Sequence, residues 1–125
     1  MANAFGDNPT REYDLEERTA CFAEDVIRFA KSLPLTAVTR RLIDQLVGAS
    51  SSIGANYCEA NEAESRPAFR VRIATCRKEA KEARLFLRLI ATAVEDRKAD
   101  ARTLWKEADE LLRIFAAAYR NSATE

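Results

Sequence analysis

A chain of 125 residues holds one domain and can bury a core without disulfide or metal support. Apolar residues make up 47% and charged residues 32%, with only three glycines and three prolines, a composition of packed amphipathic helices that gives strands little support. Lysine plus arginine equal aspartate plus glutamate at 20 each, so no global field argues for nucleic acid or a membrane surface, and any such case rests on local charge.

Residues 1–12 contain Gly6, Asn8 and Pro9 and show no periodicity, which reads as a flexible arm. They lack both a basic region and an apolar run, so neither a signal peptide nor a membrane anchor is expected and the location is cytoplasmic. The first helix is expected from Asp14, with Glu17 completing a capping box. From there Leu15, Phe22, Val26, Phe29 and Leu33 keep helical spacing until Pro34 stops the run. Thr36 or Thr39 opens a second helix, with Leu42, Leu46, Ala49, Ile53 and Tyr57 as its apolar stripe. Gly54 inside it costs up to about 1 kcal/mol relative to Ala, which points to close approach of another helix or to simple tolerance.

Residues 61–64 form a turn, Ser65 is the expected N-cap of the third helix, and Pro67 fits its first turn. Phe69, Ile73, Cys76, Ala80, Ala83, Leu87 and Ile90 then alternate steps of four and three, a strict two-position seam with small residues at its centre. Asp96 to Asp100 make the last turn with Asp100 as N-cap. Leu104, Ala108, Leu111, Phe115 and Ala118 carry the fourth helix, widened by Trp105, Leu112 and Tyr119, and residues 121–125 form a polar tail. The pattern predicts an all-α, antiparallel up-down-up-down four-helix bundle over residues 13–120. Cys21, Cys58 and Cys76 are widely spaced within helical pattern and have no histidine beside them, so buried free thiols are expected and no metal site or cofactor is.

Gln45, Ser52, Asn56 and Glu59 lie along one edge of the second helix beside the apolar stripe. A structural polar network that fixes helix register is the expected role. The alternative is a small active site with Glu59 as acid or base, but no nucleophile, histidine or metal cluster accompanies it, so the protein is expected not to be an enzyme. Glu79 and Glu82 alternate with Lys78 and Lys81 and suit ion pairs better than a di-metal site, which needs histidines.

Between residues 66 and 95 eight cations stand against three carboxylates. Arg66, Arg70, Arg77, Lys81, Arg84 and Arg88 fall near one line of the third helix, a basic stripe. It is expected to be a solvated face, a contact with the acidic first helix or another subunit, or a track for RNA or DNA, with Arg70, Arg77, Lys81, Arg84 and Arg88 as the contact residues. Val71, Leu85 and Leu89 lie away from the core seam and, with Trp105, Leu112 and Tyr119, suggest a second apolar surface used for self-association.

Several stretches together are distinctive: Tyr13 to Thr19, Leu33-Pro34, Gln45-Leu46, Ser50 to Asn56, Glu59-Ala60, Ala63 to Ser65, Phe69 and Lys78 to Glu82. Across about residues 13–119 the chain resembles the four-helix-bundle family first noticed as reading frames within intervening sequences of bacterial 23S ribosomal RNA genes. The resemblance implies an antiparallel bundle assembled as a homopentamer. A related branch is the basic, nucleic-acid-binding accessory protein of diversity-generating retroelements. No catalytic residue is implied.

Overall fold

A computed structural model of the chain describes residues 14–123, so the arm expected over residues 1–12 lies outside it. Four helices follow one another: α1 (Leu15–Lys31), α2 (Ala37–Asn61), α3 (Arg66–Ala93) and α4 (Lys98–Asn121), with a single 3-10 turn at Glu95–Arg97 between the last two. Consecutive helices pack side by side and α4 returns against α1, while α1 faces α3, and α2 faces α4, only diagonally. This is the expected antiparallel bundle. The α2–α3 and α3–α4 pairs share long contacts, whereas α1 and α4 meet over a shorter stretch.

The first three helices each begin where the sequence supplies a cap. The Asp14 carboxylate accepts from Glu17 N at 3.2 Å, Thr36 and Thr39 form a reciprocal capping box, and Ser65 Oγ accepts from Ala68 N at 3.2 Å, each satisfying an otherwise orphaned amide. α4 departs from expectation: the 3-10 turn leads directly into it, so Asp100 sits inside the first turn instead of capping it. There its carboxylate accepts from Arg97 Nε at 2.9 Å and complements the positive end of the helix. Arg97 also donates to Ser32 Oγ at 2.8 Å and lies over the Phe29 ring, fastening the α3–α4 connection to the end of α1. At the other end, the helix includes Asn121, the first residue of the expected tail.

The core follows the apolar periods closely. Phe22, Val26, Leu46, Ile53, Ile73, Leu87, Ile90, Leu111 and Phe115 are essentially sealed from solvent. Leu33 remains in the core although α1 ends at Lys31. Cys76, Ala80 and Ala83 form the fully buried middle of α3, where small side chains let its neighbours approach closely.

Gly54 belongs to a close helix crossing. A Cβ there would meet Thr19 Oγ1 at 3.1 Å and Thr19 Cβ at 3.5 Å. Thr19 is buried and its hydroxyl is committed to Leu15 O at 2.7 Å, so it has little room to yield. Gly48 in the same helix has nothing within 4 Å of a Cβ. Gly48→Ala is therefore expected to raise stability by up to about 1 kcal/mol, and Gly54→Val to lower it by about 1–3 kcal/mol through overpacking. Urea unfolding of the two variants checks the opposed signs.

Two of the three cysteines are buried as expected, but Cys58 is exposed. It stands on the solvent side of α2, with its thiol donating to a Glu16 carboxylate oxygen at 3.5 Å. Partial burial and that carboxylate push its pKa upward, while stronger burial raises Cys76 to about 12. A disulfide-exchange reagent at mildly alkaline pH is expected to label Cys58 in the native protein, and Cys21 and Cys76 only on unfolding. More than one thiol reacting rapidly in the native state would contradict this packing.

Candidate functional site

The polar edge of α2 becomes a small junction with α3. Asn56 Nδ2 donates to Ser52 O at 2.9 Å, and Asn56 Oδ1 accepts from Arg72 Nη1 at 3.2 Å. Arg72 also stands 3.9 Å from the Glu59 carboxylate. The structure thus joins Asn56 and Glu59 through Arg72, a residue not included in the expected network, while Ser52 takes part through its backbone carbonyl. Gln45 is not part of it: the residue is exposed and makes no hydrogen bond among the described residues. Glu59 is exposed too, with 64% of its side chain open to solvent, so both ends of this edge face solvent. On α3, Glu79 is half-buried, and burial, then the charge of Glu82, raises its pKa. No cluster of three or more potential metal-ligating side chains occurs among the described residues.

The basic stripe of α3 meets α4, not the acidic first helix. α1 is diagonal to α3, so its carboxylates do not cover the stripe within the subunit. Arg70 lies 3.8 Å above the Tyr119 ring and donates to Tyr119 O at 2.7 Å, answering a carbonyl near the end of α4. Arg77 approaches the same ring at 4.6 Å. Arg84 pairs with Asp109 at 2.6 Å and lies 5.5 Å from the Trp105 ring. Such cation–π contacts favour these positions. Lys81 and Arg88 remain exposed.

These contacts also alter the expected second apolar surface. Trp105, Leu112 and Tyr119 are half-buried and pack on the subunit's own core. Val71, Leu85 and Leu89 remain exposed at 64%, 48% and 37%.

Beside the stripe a groove runs along the α3–α4 seam. It has two adjoining depressions of about 500 and 520 Å³, both walled by Trp105 and Arg88. Lys81 and Arg84 line one, and Lys98, Arg102 and Lys106 of α4 line the other. The α4 cations do not stand out in the sequence. Their spacing of four residues is the available signal, hidden because α4 as a whole also carries many carboxylates.

Among the described residues no helix is long and apolar enough to cross a membrane. The fold has a solved counterpart in a Bacteroides thetaiotaomicron protein described as of unknown function and from the S23 ribosomal protein family. The two share 20% identity and a TM-score of 0.74, covering 83% of this chain and 96% of the other; at that identity the likeness concerns the fold alone. Among curated proteins none matches the sequence. Residues 11–117 match the family described as 23S rRNA-intervening sequence protein, and because that match spans most of the chain, including all the elements just described, the chain belongs to this family.

Proposed function

We propose that the protein is a non-enzymatic cytoplasmic binding or scaffold module that works as a homo-oligomer. The observation that carries this reading is the outer face of α3. Val71, Thr75, Lys78, Glu82, Leu85, Leu89 and Thr92 repeat the four-and-three spacing of the core seam on the opposite side of the helix, with its apolar members in solvent. A helix with two such seams is suited to packing on two sides, and a second copy is the economical partner for the outer one. A ring of five is the size suggested by the family resemblance. The neutral net charge does not favour the role of the basic retroelement accessory protein.

Support for a non-enzymatic role comes from the polar junction itself. Its carboxylate, Glu59, faces solvent beside Arg72 and, among the described residues, makes no hydrogen bond to a nucleophile or second acid with which to divide a reaction. Gel filtration with light scattering is the test of assembly. The expected result is a single species several times the 14.0 kDa chain mass, unchanged on dilution. A monomer at every concentration would overturn the proposal.

A further inference from the structure

The α3–α4 groove holds charge that the subunit leaves unmatched. Lys81 and Arg88 on α3, and Lys98, Arg102 and Lys106 on α4, all line it. All five are exposed, and none forms an ion pair among the described residues. Only Glu82 and Glu95 oppose them at the groove. The three α4 cations recur every four residues, about 6 Å apart along the axis at a rise of ~1.5 Å per residue. Arg88 shares one depression with the three α4 cations, and Lys81 and Arg88 line the other.

Trp105 sits where the two depressions meet. Its position is set beforehand: Arg84 lies against the indole and is itself held by Asp109 at 2.6 Å. Asp109 is in turn bonded to Arg113 at 3.0 Å. Leu87, Ala91 and Ala101 give the floor an apolar character.

We propose that this groove binds a single strand of nucleic acid, with its phosphates along these cations and a base against Trp105. Charge of one sign along both banks suits a repeating anion. An aromatic wall beside it suits a base, because stacking is available to every base and needs no sequence readout. In a duplex the bases already stack on one another, so a base is available to Trp105 only from a single strand. An acidic peptide would satisfy the cations but would leave the indole and apolar floor without a flat partner, so single-stranded nucleic acid fits better.

Glu82, Leu85 and Thr92 of the outer α3 row also line the groove, so light scattering on the same samples accompanies the titration. Trp105 is the only tryptophan in the chain, so intrinsic fluorescence reports on the groove itself. Titration with oligodeoxythymidylate is expected to give saturable quenching. If all five cations meet phosphates, the affinity should fall with a log–log salt slope near −3.5, about a hundredfold between about 50 and about 200 mM salt. Arg102→Glu with Lys106→Glu should weaken binding about tenfold or more, with circular dichroism and oligomer mass unchanged. Both positions are exposed, so the variant is expected to fold. Polyglutamate at matched charge should not quench. Equal quenching by polyglutamate would overturn the proposal, as would no fluorescence change at low salt or full binding by the double variant.

Discussion

Phe115→Ala is expected to destabilise the protein by about 3–5 kcal/mol, the usual cost of emptying a phenylalanine-sized site in a packed core. Phe115 has no exposure, and its ring centre lies 5.8 Å from that of Tyr57 at an interplanar angle of 55°. It therefore links the C-terminal parts of α2 and α4 across the bundle's diagonal, where no direct backbone contact holds them. Backbone collapse into the vacancy is restricted because α3 already packs tightly against both helices through Cys76, Ala80 and Ala83. For a chain of this size the loss corresponds to a fall of roughly 10–20 °C in melting temperature. Thermal and urea unfolding followed by circular dichroism, at one fixed protein concentration because the proposed assembly would contribute to apparent stability, give the number. A loss below about 1 kcal/mol would mean that the site collapses freely, contrary to this packing.

The position of Phe115 is legible in the sequence because a buried helical side needs apolar residues every three or four positions, and α4 provides them at Leu104, Ala108, Leu111 and Phe115. α3 is clearer still: its inner seam, from Ile73 to Ile90, is the set that the structure buries. Helix starts are readable where one short side chain can satisfy a backbone amide, as at Asp14, Thr36 and Ser65. Asp100 misleads because a good capping residue also suits a first turn, and a 3-10 turn has already brought the chain into helical conformation.

The candidate sites are less legible because they depend on which helices are neighbours. Gln45 and Asn56 share an edge by helical arithmetic, but only Asn56 comes opposite a long cation, Arg72. Arg70, Arg77 and Arg84 read as a charged line on α3, and Tyr119 and Trp105 as spare apolar surface on α4. Pairing them requires knowing that α4, and not α1, lies against that flank. Once paired, each changes meaning: the aromatic rings are no longer free for another subunit, and much of the charge is anchored. What remains outward is the apolar row of α3 and the cations of the groove, which meet at Leu85.

Leu85→Glu combined with Leu89→Glu is expected to reduce the proposed assembly to its 14.0 kDa subunit. Both leucines are exposed in the isolated chain, at 48% and 37%, so the new carboxylates remain hydrated when the subunit is alone. In an assembly that buries the outer seam, each subunit would instead place two charges in an apolar contact. Even after relaxation, burying an unpaired ion costs several kcal/mol, and the replaced leucines would also forfeit about 1.5–3 kcal/mol each if fully buried. Association through that face would thus be disfavoured while intramolecular packing stays intact, since the core seam at Ile73, Ala80, Ala83 and Leu87 lies on the other side of α3. Helical content measured by circular dichroism should be retained, separating disassembly from unfolding. Leu35→Glu is the control: Leu35 is 66% exposed but lies in the α1–α2 connection, away from the outer face of α3, and should leave the mass unchanged. If light scattering gives the parent mass for the double variant, the interface does not lie along Leu85 and Leu89; if the Leu35 variant dissociates instead, the end of the bundle mediates assembly.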